Sequence, residues 1–459
     1  MTRPAEEANV VAGPTSHRLL RRWPPAAMVT RVREDSLLRN SLFIMATTVV
    51  NSALGYGFWL IAARRFAAPV VGLAAAIIAA ITIVALLASL GVGATLIQSL
   101  PEPGRRVDRP LTLWTGIVTA TGASLVIACV ILVALPLISG EFAVLDAARY
   151  AAVFVIAAVA WTIAAVLDSV FVAERAAGNM LSRNTVTAGA KVLVIALLTI
   201  MAATGVLVIL VAWTFAAVLG LAVGVGLLIR RVGALPRPTL RAMATRARGL
   251  RSRIVGNQLI GVGGALPPLI LPLLVTVRLS AKEDAYFYTT WMVCGIFLII
   301  SPAVSASLFA EGAHSPRELR SKTRAALTII CALLVPCGAV YLIIGTTLLS
   351  TFGAAYEQHA IELLELVVLS AIPDAITNVY VSLLRVQGRL AKAAGLNLGM
   401  AVGTFALSWG LLPTLGITAV GWAWLAMQLT GCVVVAVDLG RGRLFVPVGD
   451  GEPVAAETR

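Results

Sequence analysis

The chain has little charge and almost no histidine. Of its 459 residues only 13 % are Asp, Glu, Lys or Arg, while 59 % are hydrophobic. An ordinary soluble domain is roughly a quarter charged, so this sequence cannot cover a water-soluble globule and must be solvated by lipid. The three histidines and five cysteines exclude two further classes. Cys129, Cys294, Cys331, Cys337 and Cys432 all lie inside apolar runs and none forms a CxxC pair. Neither a metal site nor a disulfide framework is expected, and the cysteines read as small core residues. Walker A, HExxH and GxSxG stretches are missing as well, so the sequence offers no phosphate-cradling loop, no zinc-protease helix and no nucleophile elbow. No cofactor and no enzyme activity are expected. The excess of basic over acidic residues, +14 in formal charge, does not indicate nucleic acid, because the arginines sit in short segments between apolar runs and not on one soluble face.

What is present is a series of apolar segments at 38–63, 73–98, 111–138, 150–173, 182–203, 206–229, 254–277, 286–309, 325–349, 361–384, 391–412 and 416–438. Each is near the ~20 residues that a helix needs to cross a bilayer. The expected fold is therefore all-α: a polytopic membrane protein of twelve transmembrane helices in two six-helix lobes, 37–229 and 254–438. Between the lobes lies the stretch Arg230 to Arg253, with eight arginines, two prolines and no acid. It reads as a cytoplasmic connector, because basic residues near spans stay on the cytoplasmic side, where they also meet anionic lipid headgroups. Residues 1–36, basic and broken by Trp23-Pro24-Pro25, read as a disordered cytoplasmic tail, with Met28 as an alternative start. Residues 439–459 form a second cytoplasmic tail. The first apolar run is too long for a signal peptide and should be a retained span. Only Arg64, Arg65, Arg149, Arg278 and Lys282 fall on the opposite, outer side, where the cluster Tyr286, Phe287, Tyr288 and Trp291 suits an interfacial belt. The expected location is a cell membrane, with both termini inside.

Sliding the second half on the first by 210 residues pairs Asp168 with Asn378, Arg175 with Arg385, Gly178 with Gly388 and Gly189 with Gly399. Six spans per half make this a parallel repeat.

Charged residues inside spans are costly, about 2.5–3.5 kcal/mol on insertion scales, and functional by default. Lys191 lies within the fifth span, and Arg183, Thr187 and Lys191 recur every four residues, making one helical face basic. That face suits an anion such as phosphate; the alternative is a lysine that snorkels or pairs with a carboxylate. Asp374, after Pro373, is the counterpart in the second half and could take up a proton or hold Lys191 across a cavity. Asp168 and Arg175 share a face near the inner end of the fourth span. Arg64 and Arg65, arginines on the outer side, could fork around a phosphate or anchor to headgroups. Asn51, Gly55 and Trp59 line one face of the first span. Pro267, Pro268 and Pro272 should bend the seventh span and make it a gate. Gly220-x-x-x-Gly224 and Gly399-x-x-x-Gly403 are close-packing signals.

Residues 39–77, RNSLFIMATTVVNSALGYGFWLIAARRFAAPVVGLAAAI, with LLASLGVGATLIQSLP at 86–101 and VFVAERAAGNMLSRN at 170–184, resemble the polysaccharide and oligosaccharide-lipid flippases of the multidrug/oligosaccharidyl-lipid/polysaccharide (MOP) exporter superfamily. The resemblance implies two six-helix lobes around a cationic cavity that moves a polyprenyl-diphosphate-linked glycan outward. It brings membrane lipids and polysaccharide assembly proteins as partners. Carried over by position, the family's cationic residues in the first and fifth spans fall nearest Arg64 and Lys191. The alternatives are a cation-coupled multidrug exporter of the same superfamily and a non-transporting scaffold for envelope polysaccharide assembly.

Overall fold

The computed structural model describes residues 36–100, 109–233, 236, 238–265, 267–314 and 318–441. The tails expected at 1–36 and 439–459 lie almost wholly outside the described residues. Among the described residues the fold is helical without a strand. Its helices are α1 (Ser36–Arg65), α2 (Ala68–Ser99), α3 (Arg109–Ile138), α4 (Ala148–Ala173), α5 (Ala177–Ile200), α6 (Val206–Val232), α7 (Leu240–Ala265), α8 (Pro267–Arg278), α9 (Ala281–Leu298), α10 (Ile300–His314), α11 (Leu319–Ser350), α12 (Ala354–Val386), α13 (Leu390–Leu415) and α14 (Thr418–Gly440). A short 3-10 turn at Gly140–Asp146 joins α3 to α4.

Every expected span falls on a helix or a helix pair. Nine described helices are long and apolar enough to cross a bilayer, and α9 with α10, bent by 41° at their break, makes a tenth. The expected spans 254–277 and 361–384 fall on the α7–α8 pair and on α12. Apolar side chains such as Val126, Val130 and Leu137 on α3 and Ile343 on α11 face outward, as lipid-solvated surfaces require. The chain is a multi-pass membrane protein. Its seventh span divides where the prolines stand, since α7 ends at Ala265 and α8 begins at Pro267. The second half of the basic connector is not a loop: from Leu240 it is already α7, where Arg246 Nε donates to Thr112 Oγ1 at 3.1 Å.

The first lobe is held by α1 on α5, α2 on α4 and α6 on both α4 and α5; in the second, α12 packs on α10, α11 and α14, and α14 on α13. The most extensive bridge between the lobes is α2, which also packs on α7, α8 and α9, with lesser contacts of α3 on α7 and α1 on α9. At Gly72 a Cβ would lie 1.6 Å from the Ala281 carbonyl oxygen, and at Gly91 it would lie 2.3 Å from that of Ile254. Backbones approach this closely only where there is no side chain.

The two lobes repeat, but not with the register that residue matching favours. Helix α4 ends at Ala173 and α12 at Val386; α5 begins at Ala177 and α13 at Leu390, in both cases 213 residues apart. The turns agree in detail. Ala176 N–H donates to Phe171 O and Arg389 N–H to Leu384 O, each at 2.8 Å. The residue before each is left-handed, Arg175 at φ 52° and Gly388 at φ 71°. The slide of 210 is therefore three residues short. It matched Gly388 to Gly178, whereas the residue in Gly388's conformation is Arg175, a type that rarely adopts it.

Candidate functional site

Helices α1 and α5 lie side by side, so the faces singled out on each meet. Asn51 Nδ2 reaches Asn184 Oδ1 at 3.4 Å, and a Cβ on Gly55 would lie 4.0 Å from Lys191 Nζ. Lys191 is only 8 % exposed. Its ammonium stands 4.5 Å from the ring centroid of Trp213 on α6 and 5.8 Å from that of Phe58 on α1. Among the described residues no carboxylate forms an ion pair with it. Aromatic faces attract a cation but do not neutralise it.

Two turns earlier on the same helix the situation is opposite. Arg183, 2 % exposed, grips Asp168 of α4 with both arms, Nε to Oδ1 at 3.1 Å and Nη2 to Oδ2 at 2.7 Å. Asn184 donates to the same carboxylate and accepts from Arg183. Asp168 was expected to share a face with Arg175, but Arg175 is in the α4–α5 turn and the partner is Arg183. Glycines make this possible: a Cβ at Gly224 would lie 2.9 Å from Arg183 Cδ, and one at Gly220 would lie 1.8 Å from Thr187 Oγ1. Thr187 in turn donates to the Arg183 carbonyl at 3.0 Å. With Asp168 and Arg183 cancelling, Lys191 is the buried positive charge left uncompensated among the described residues of this lobe.

Trp213 also lines a cavity of about 410 Å³ walled by Trp161, Tyr288, Pro268 and Pro272, with the Thr82 and Ser89 hydroxyls already donating to their own helix. A second cavity, about 480 Å³, lies in the other lobe between α9, α10, α12, α13 and α14, and Pro268 borders both. Asp374 lines the second cavity, with Oδ2 accepting from Asn378 at 2.8 Å and Oδ1 from Gln428 at 3.0 Å. It has no bond to Lys191, so the charge pair envisaged across a cavity is not formed. Arg64 lines neither cavity: its guanidinium caps the C-terminal end of α11, donating to the Ser350 and Thr351 carbonyls. The aromatic group expected as an interfacial belt faces inward, with Tyr286 and Phe287 buried and Tyr288 and Trp291 at the cavities.

Spacing alone did not bring out Trp213, Asn397, Trp424 or Gln428. The repeat could have found one of them: in the 213 register Asn397 stands where Asn184 stands, and Thr404 where Lys191 does. It also missed Asp438, which accepts from Tyr380 and Lys392 and ties α12, α13 and α14 together.

No family model and no curated protein matches the sequence. Solved structures do. The fold is similar to that of the lipid II flippase MurJ in an inward closed conformation, with TM-score 0.69, 10 % identity and 87 % of each chain covered. An inward-facing multidrug resistance MATE family transporter of the MOP superfamily matches with TM-score 0.65 and 17 % identity over 86 % of this chain and 94 % of that one. A MOP superfamily transporter from Pyrococcus furiosus, described as having a binding pocket of reversed polarity, matches with TM-score 0.57 and 15 % identity over 89 % and 95 %. The fold is that of MOP-superfamily transporters, multidrug exporters and a lipid flippase alike.

Proposed function

We propose that the chain is a flippase that moves a polyprenyl-diphosphate-linked oligosaccharide or polysaccharide precursor from the inner to the outer leaflet of the cell membrane by alternating access. The observation that carries this reading is Lys191, a buried ammonium without a counter-ion behind an aromatic cavity wall. A buried charge is retained where something pairs with it during function, and the diphosphate supplies that pair. Arg183, Asp168, Thr187 and Asn51 are positioning residues: they lock α1, α4, α5 and α6 around Lys191. Asp374 is the coupling residue of the other lobe, and the Pro267, Pro268 and Pro272 segment is the hinge. Both termini and the basic connector face the cytoplasm, with membrane lipids and polysaccharide assembly proteins as partners.

The test is export of lipid-linked glycan in reconstituted vesicles, with membrane levels of each variant matched. A hydrogen bond to a charged group contributes about 1.5–3 kcal/mol, so Lys191→Ala lowers export about ten- to a hundredfold. Lys191→Arg keeps part of the activity because the charge survives, and Lys191→Glu falls below Ala. Normal export by all three overturns the phosphate assignment and favours a scaffold role. A wild type that moves organic cations and no lipid-linked sugar identifies the multidrug exporter instead, a reading favoured by the MATE-family likeness.

A further inference from the structure

We infer that the cavity of the second lobe is a subsite for a neutral pyranose, the sugar part of the proposed ligand; the inference rests on the flippase reading above. The cavity, about 480 Å³, lies in the ~300–1,000 Å³ range of small-molecule sites. Its floor is rigid before any ligand arrives: Asp374 accepts from Asn378 and Gln428, and Gln428 Oε1 accepts from Thr377 at 2.8 Å.

Above that floor, two groups are left over. Among the described residues the Asn397 amide and the Thr404 hydroxyl, both lining the cavity, make no hydrogen bond. Together they offer donors and acceptors at neutral groups. Both can donate and accept into the cavity, so the ligand that fits is one that brings hydroxyls. Trp291 and Trp424, edge to face at 5.3 Å and 84°, supply apolar faces for the C–H side of a sugar ring. No lysine or arginine is among the described residues that line the cavity, which argues against a second phosphate site.

The repeat sharpens the contrast. In the 213 register Asn397 and Thr404 occupy the places of Asn184 and Lys191, so where one lobe presents an ammonium the other presents a hydroxyl. A sugar bonded to a diphosphate needs both environments side by side, and the two cavities share Pro268 as a wall.

The rival occupant is an organic cation drawn to Asp374 and the two indoles. Both carboxylate oxygens are already engaged by amides, and a cation without hydroxyls leaves Asn397 and Thr404 unmatched.

The experiment uses the purified full chain in detergent, followed by intrinsic tryptophan fluorescence and calorimetry. It is titrated with methyl glucoside, methyl mannoside and methyl N-acetylglucosaminide, none of which carries lipid or phosphate. At least one is expected to saturate. Asn397→Leu and Thr404→Val, near-isosteric changes checked for unaltered thermal melting, each weaken it tenfold or more, while Thr245→Ala, on the exposed first turns of α7, leaves the titration as it was. Saturation by none of the glycosides, or unchanged binding in both variants, overturns the subsite. So does saturation by tetraphenylphosphonium alone with its loss in Asp374→Asn. Failure of the flippase reading looks different: glycosides still bind, but lipid-linked glycan export does not respond to Lys191→Ala.

Discussion

Arg183 and Lys191 lie two turns apart on α5 and are almost equally buried, yet only Arg183 has a counter-ion. Removing one partner of a fully buried pair costs about 3–5 kcal/mol, because the other charge is left uncompensated, whereas replacing both by apolar groups is often neutral; here Arg183 is buried and Asp168 is 22 % exposed, so the cost falls below that range. Arg183→Ala should therefore lower the melting temperature, and Asp168→Leu combined with Arg183→Met should recover most of the loss, as thermal unfolding in detergent would record. Equal melting of the single and double variants would show that the pair is not a structural lock. The basic face of α5 was legible in the sequence, because Arg183, Thr187 and Lys191 recur at the helical repeat. The counter-ion was not: a pair between neighbouring helices follows from their rotation against each other, and the sequence shows only that Arg175 is the arginine spaced one face-repeat from Asp168. Arg64 misled for a related reason. Its position at the end of α1 was readable, but its partner, the end of α11, is 286 residues away.

Helices α5 and α6 touch through glycines. The Gly220-x-x-x-Gly224 pattern reads as a close-packing signal, and it is one, but what it admits is polar side chains and not a backbone. A methyl at Gly220 would overlap the Thr187 hydroxyl. Gly220→Ala should lower the melting temperature, although alanine is the better helix former by about 1 kcal/mol. Adding Thr187→Ala, which removes the overlapping oxygen and leaves the Cβ in tight contact at 3.0 Å, should restore most of it; a double variant no more stable than Gly220→Ala alone would refute this packing. The division of the seventh span was also legible, since two prolines in sequence cannot continue a helix without losing backbone bonds. It follows that Pro267→Ala with Pro268→Ala should let α7 run into α8, leaving insertion intact and slowing export. Export at the wild-type rate by a normally expressed double variant would make the prolines passive. The repeat register escaped residue matching because conformation and residue type part company at one turn, where arginine holds a place that its counterpart gives to glycine.

The whole molecule is joined unevenly. Near the Arg64 end, α1 is bound to the second lobe by the Arg64 cap on α11, by Tyr56 OH against Thr351 Oγ1 at 3.0 Å, by Tyr56 edge-on to Phe352, and by Trp59 against Tyr288 at 4.7 Å. Near the connector end, the described polar links run instead from α7 to α2 and α3: Gln258 Oε1 accepts from Gly91 N–H, and Arg246 reaches Thr112. Helix α1 takes no part in these. The proposed transport cycle must open the Arg64 end, and opening there breaks the guanidinium contacts with the negative end of a helix, each worth about 0.3–1 kcal/mol at an exposed site. Arg64→Ala should then raise the population open on that side, up to about fivefold for 1 kcal/mol. A single cysteine at Thr82, on the wall of the aromatic cavity, reports it in a cysteine-free background. An impermeant thiol reagent added outside intact cells should label it faster when Arg64 is alanine, while a cysteine at exposed Thr245 of the connector stays unlabelled in both. Labelling of Thr245 would invert the proposed orientation. An unchanged rate at Thr82 would mean that the Arg64 contacts break with no effect on opening, leaving the aromatic contacts of Tyr56 and Trp59 as the closure of that end.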